Sequence, residues 1–242
     1  MIKLLFLVFS GLKFSKILFS VGTMLLSVLV YAGFYGWRYA LGFVLLLLVH
    51  EGGHYVAARQ RGLNVGLPTF VPFVGAWIAL KEQPHDAEME AYVGIAGPLA
   101  GSIGALICYW LARQTDSNLL LALSYSGFLL NLFNLIPLSP FDGGRITAAL
   151  SPKLWFLGVP VLIGLFIYRP SPMLIVMALL AAPQLMKAWK MQTAPSPDDA
   201  VYYQVPAASR INYACAYIAL LAFLALMTHG VHDMLESLRT TL

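Results

Sequence analysis

Leu41-Gly-Phe-Val-Leu-Leu-Leu-Leu-Val49-His50-Glu51-Gly52-Gly53-His54 runs an apolar segment straight into two imidazoles and a carboxylate. Such a segment reads as part of a bilayer-spanning helix, where ionisable groups are costly and point to function. On a helix, residues four apart share a face. His50 and His54 can therefore hold one zinc ion through neutral imidazole nitrogens. Glu51, beside the first of them, is placed to act on a zinc-bound water as general base. Three ionisable groups in this order arise by chance about 0.002 times in a chain of this length and composition, so accident is a poor explanation.

The surrounding composition agrees. Of the 242 residues, 60% are hydrophobic and 11% charged, against roughly 45–50% and about 25% in soluble domains. The expectation is an all-α polytopic membrane protein, one membrane-embedded domain over residues 1–242. Its catalytic core would lie at about 38–150 and its C-terminal helices at 151–242. A net charge of +4, scattered between apolar segments, argues against nucleic acid as a partner and for orientation signals. Cys108 and Cys215 sit in apolar runs and read as small hydrophobes rather than a disulfide. Lys13 and Lys16 interrupt the N-terminal apolar stretch, which is therefore read as mature sequence rather than a signal peptide.

Seven segments are candidates for spanning helices: Phe14–Tyr35, Arg38–Ala58, Ala91–Ala112, Leu119–Leu138, Leu154–Tyr168, Met173–Met186 and Ile211–Thr228. The fifth and sixth are short and contain Pro160 and Pro183, so six spans or seven are expected. With the N-terminus cytoplasmic, eleven of the fifteen basic residues fall inside and four (Arg38, Arg113, Arg169, Arg239) outside. That positive-inside bias turns His54 to the cytoplasm. Between the second and third spans, Leu67–Leu80 is proline-rich and too short to span. It reads either as a small membrane-surface β-hairpin, with edges able to pair an extended peptide, or as a loop packed on the helices. Gly94, Gly97, Gly101 and Gly104 lie on one face of the third span and read as a close helix–helix seam.

Zinc in a hydrolytic site takes three protein ligands and leaves a place for water. Asp142 is the favoured third ligand. It follows Asn134-Leu-Ile-Pro137-Leu-Ser-Pro140-Phe and precedes Gly143-Gly144, at the end of the fourth span on the side of His54. Its bland alternative is a helix N-cap. Asn134 reads as either a donor to substrate or oxyanion or an interhelical hydrogen bond, and Asn131, one turn earlier, as the latter.

These motifs together resemble the site-2 protease family of intramembrane zinc metalloproteases. The match runs in order through His50–His54, the hairpin ending near Gly75, Ala96-Gly97-Pro98-Leu99-Ala100, and Asn134 to Gly144. The resemblance implies zinc on His50, His54 and Asp142, one ion per chain, with Glu51 as catalytic base and Asn134 holding substrate or oxyanion. It implies a substrate that is a membrane-anchored protein or peptide, unwound against the hairpin edge, in a bacterial-type cell membrane. A regulatory membrane partner is compatible with it. No PDZ-sized insert separates the motifs, so the short form is expected. One departure stands out. Where the family often carries Asn after its Gly-Pro motif, this chain has Gly101, so a polar contact is either missing or supplied from elsewhere. The rival reading is a non-catalytic metal-binding membrane adaptor of the same fold.

Overall fold

The computed structural model describes residues 2–72, 75–80, 84–194 and 196–240, with side chains described from residue 17 onward except at 75–80. Its elements are α1 (Ile2–Tyr35), α2 (Trp37–Gln60), β1 (Val65–Val71), β2 (Gly75–Leu80), α3 (Ala87–Thr115), α4 (Asn118–Asn134), α5 (Asp142–Leu150), a 3-10 turn (Pro152–Leu157), α6 (Gly158–Tyr168), α7 (Pro172–Thr193), α8 (Pro197–Tyr202) and α9 (Ala207–Thr240).

The breaks between helices follow from local chemistry. Gly36, at φ +82°, takes the left-handed conformation that separates α1 from α2. Asp86 caps α3, its carboxylate accepting from Met89 N at 2.7 Å, and Glu88 and Glu90 add negative charge to that first turn. Ser117, Ser171 and Ser196 cap α4, α7 and α8 in the same way.

Among the described residues, five helical segments are long and apolar enough to cross a membrane: Ile17–Tyr35, Trp37–Gln60, Ala87–Thr115, Pro172–Thr193 and Ala207–Thr240. Two of the seven expected segments differ. The fourth ends as α4 at Asn134, after 17 residues, and its apolar continuation Leu135–Phe141 is irregular. The fifth divides into the 3-10 turn and the 11-residue α6. Pro160 lies in the first turn of α6, where its missing N–H costs nothing, while Pro183 sits inside α7.

α2, α3 and α4 pack side by side, α5 lies against α3, and α9 covers α4. The seam between them is small-residued: a Cβ on Gly127 would come within 2.8 Å of Ala105 Cβ. Ile95, Phe128, Leu135, Ile146 and Leu224 bury together where α3, α4, α5 and α9 meet. The outward faces carry large apolar side chains such as Leu29, Leu179 and Leu226, as a lipid-facing surface requires.

β1 and β2 pair antiparallel, with Val71 opposite Gly75 and Thr69 opposite Trp77. The first strand is tied to α1, because Ser20 Oγ donates to Pro68 O at 2.5 Å and Phe70 N donates to Thr23 Oγ1 at 3.3 Å.

Candidate metal centre

α2 carries His50, Glu51 and His54 into the interior, where all three are buried. α5 brings Asp142 to the same point. Phe141, not Asp142, occupies the N-cap position of that helix, and Asp142 is its first helical residue. The N-cap alternative therefore does not describe it. Its carboxylate turns back onto the two histidines. His50 Nε2, His54 Nε2 and Asp142 Oδ2 form a triangle with each side 3.2 Å. These three residues are the group able to hold a metal ion among the described residues.

The other ring nitrogens say what those three atoms are. His54 Nδ1 lies 2.8 Å from Val93 O, which can only accept, so Nδ1 carries the proton. Asn131 donates its amide nitrogen to Gly127 O at 2.7 Å, which turns Oδ1 towards His50 Nδ1 at 2.8 Å. His50 Nδ1 is therefore also a donor. In the neutral rings both Nε2 atoms are bare lone pairs, and they face a carboxylate oxygen. Three acceptors at this separation repel unless a cation lies among them. A tetrahedral ion with bonds of about 2.0–2.1 Å sets its ligands about 3.3–3.4 Å apart. The observed sides match that spacing, and two imidazoles with one carboxylate suit zinc. The Asp142 carboxylate is the one anionic member of this set, facing both rings at 3.2 Å. The N-terminus of α5 favours the anion further.

Glu51 is 5% exposed, and its carboxylate makes no hydrogen bond or ion pair with another described residue. A buried carboxylate with no hydrogen-bond or ion-pair partner among the described residues, one residue from a ligand-type histidine, is placed to act on a water.

Glycines shape this site more than their sequence pattern revealed. A Cβ on Gly97 would stand 2.2 Å from His54 Nε2, and one on Gly53 would stand 2.3 Å from Ala96 O. What reads as a packing seam is thus also the space in which the His54 ring turns. Asn131 is the residue whose importance sequence reasoning understated. It makes the interhelical hydrogen bond expected of it, and its partner is His50. The signal was present as a polar side chain within an apolar span. Asn134 is half-buried and donates to Leu130 O of its own helix at 3.1 Å.

The loop before Asp142 is irregular, yet its backbone and that of the first turn of α5 find side-chain partners from three directions. Tyr217 Oη donates to Leu135 O at 2.5 Å, Ser139 N donates to Gln184 Oε1, and Trp155 Nε1 donates to Gly144 O at 2.8 Å. Non-helical backbone at membrane depth is tolerated only where protein satisfies it in this way. Gly143 and Gly144 allow α5 to start against that loop, since a Cβ on Gly143 would lie 2.3 Å from Leu135 O and Ile136 O.

Comparison with known proteins gives one matching family, Peptidase family M50, over residues 38–118. A zinc metalloprotease of Methanocaldococcus jannaschii is 33% identical over 147 residues, which are 59% of this chain and 42% of the relative. The Mycobacterium tuberculosis protein Rip3, named as a zinc metalloprotease, is 33% identical over 111 residues, 43% of this chain and 28% of the relative. The chain thus spans less than half the length of these curated relatives. Among solved structures, the site-2 protease of Methanocaldococcus jannaschii aligns over 80% of this chain and 89% of that one, at 22% identity and a TM-score of 0.45.

Proposed function

We propose that this chain, which belongs through residues 38–118 to peptidase family M50, the site-2 protease family, is an intramembrane zinc endopeptidase that cleaves transmembrane segments of membrane-anchored proteins. The observation that carries the reading is the convergence of three bare acceptors, His50 Nε2, His54 Nε2 and Asp142 Oδ2, at 3.2 Å from one another. A single zinc ion per chain satisfies them. When bound, zinc supplies Lewis acidity, lowering the pKa of a water and polarising a peptide carbonyl.

The chain's own groups do the rest. Glu51 takes the proton from the attacking water and later gives it to the leaving amine. With no hydrogen bond or ion pair to a described side chain, the carboxylate is available for both transfers. Asn134 is the proposed donor to substrate or oxyanion, using the amide capacity left beyond its bond to Leu130 O. A transmembrane substrate already has its backbone hydrogen bonds satisfied, so a stretch must unwind before a carbonyl reaches the site. The strand pair after α2 suits an unwound segment. With α1 side chains bonded to the backbone of β1, the β2 edge is the one proposed to take it. In the proposed orientation, which the distribution of basic residues supports, the N-terminus and the catalytic end of α2 face the cytoplasm across a bacterial-type cell membrane. The lipid bilayer, the substrate and a regulatory membrane partner complete the expected surroundings.

The test uses purified protein and a membrane-anchored substrate panel. Glu51→Gln should retain one zinc per chain and lose cleavage by at least about 100-fold. His50→Ala and Asp142→Ala should lose both zinc and cleavage. A Glu51→Gln protein that cleaves at the native rate would sink the proposal. Zinc far below one per chain in the unaltered protein would favour a non-catalytic adaptor.

A further inference from the structure

The structure sets Asn131 in a place that three helices have to share. It projects from α4, is 1% exposed, and lies between His50 of α2 and Gly101 of α3. A Cβ on residue 101 would come within 2.3 Å of Asn131 Oδ1 and 2.6 Å of its Nδ2. The amide therefore fills the volume that any side chain at position 101 would take. Its two ends are both committed. Nδ2 donates to Gly127 O at 2.7 Å, and Oδ1 accepts from His50 Nδ1 at 2.8 Å. Because Nδ2 is held by a carbonyl, the amide cannot flip without setting oxygen against oxygen.

We propose that Asn131 is the positioning residue for metal binding at His50, and that Gly101 is the vacancy on α3 that admits it. The amide oxygen holds the His50 proton on Nδ1, so that Nε2 presents its lone pair to the ion with no rotation left in the ring. His54 is held by the backbone carbonyl of Val93, which no side-chain substitution removes. His50 depends instead on a side chain from another helix, and so the geometry of the ligand set depends on the α3–α4 seam. The inference rests on His50 being a zinc ligand. It explains how a chain with glycine at position 101 still gives that ligand an amide partner, by supplying it from α4.

The experiment measures zinc affinity by chelator competition on full-length protein in detergent, together with the visible spectrum of the cobalt-substituted protein. Asn131→Ala should bind zinc about 10–100-fold more weakly and shift the cobalt bands. Gly101→Ala should do the same, because it keeps the amide but displaces it. Ser124→Ala removes another fully buried polar group of α4, one bonded only within its own helix at Leu121 O, and should leave both readouts unchanged. Native zinc affinity and an unshifted cobalt spectrum in Asn131→Ala would overturn the proposal. So would an equal loss in Ser124→Ala, which would mark a general packing effect. If Asn131→Ala does not fold, Gly101→Ala decides alone, and native affinity there rejects the inference. Absence of zinc from the unaltered protein would instead reject the metal reading of His50 itself.

Discussion

His54 is held at both ends, and the two constraints come from different kinds of residue. Its Nδ1 is fixed by a backbone carbonyl of α3, while its Nε2 faces the bare α-carbon of Gly97 on the same helix. The imidazole stands edge-on to His50, with ring centroids 4.9 Å apart, so it has nowhere to retreat. Gly97→Ala should therefore strike the metal site directly. The added methyl would sit 2.2 Å from Nε2, and overpacking of this kind typically costs about 1–3 kcal/mol. Zinc affinity should fall at least about tenfold, measured beside a melting curve of the metal-free protein. Native zinc binding in that variant would show that α3 can shift away from α2. The same contact explains what could be read in the sequence and what could not. His50, Glu51 and His54 announce themselves because spacing along one helix fixes their shared face. Gly97 contributes only an absence of atoms. Which of four glycines faces the ring depends on how α2 and α3 cross, which no single helix encodes. Asn131 and Asn134 pose the same problem: they lie one turn apart, and only the rotation of α4 against α2 selects the one that meets His50.

At the scale of elements, Asp142 owes its position to a loop rather than to a helix. Leu135–Phe141 is apolar enough to pass for the end of a span, but Pro137 and Pro140 lack the N–H groups that a continuing helix needs. Apolar composition reports burial and not helicity, which is why the fourth segment ends earlier than hydropathy indicates. The same reason applies to the fifth, where an apolar run is divided by a 3-10 turn. That turn has a function of its own in the fold. It carries Trp155, which is buried, stands edge-on to Tyr203 and donates to Gly144 O two residues beyond Asp142. Trp155→Phe keeps an aromatic ring and removes only the N–H. Gly144 O keeps the longer bond from Thr147 Oγ1 at 3.4 Å, so the loss should be that of one hydrogen bond, about 0.5–1.5 kcal/mol. Melting temperatures with and without chelator separate two effects. A fall in both states reports the lost hydrogen bond, and a narrower gap between them reports weaker metal binding through a loosened Asp142. An unchanged pair of temperatures would mean that Tyr217 and Gln184 suffice to hold the loop.

For the whole molecule, the question is which way the site faces. Water must reach the buried ligand set, and the charges that orient the chain lie in the connections between helices. On the seven-span path expected from the sequence, eleven of the fifteen basic residues would fall on the side of the α2–β1 and α7–α9 connections. The positive-inside rule would make this the cytoplasmic side, the orientation proposed here, with the α3–α4 connection outside. The side of the α3–α4 connection follows from α2 and α3 alone, while the side of α8 follows from the crossings of α4, α6 and α7 together. A cysteine-free background, Cys108→Ala with Cys215→Ala, makes it testable. Asp198→Cys, exposed on α8, should react with a membrane-impermeant maleimide only in inside-out vesicles. Gln114→Cys, exposed at the end of α3, should react only in intact cells. The reverse pattern would turn the metal centre to the outer face and require its substrates to be cut from there. Labelling of both cysteines from one side would mean an even number of crossings among α4, α6 and α7, and would overturn the proposed path of the chain after α3.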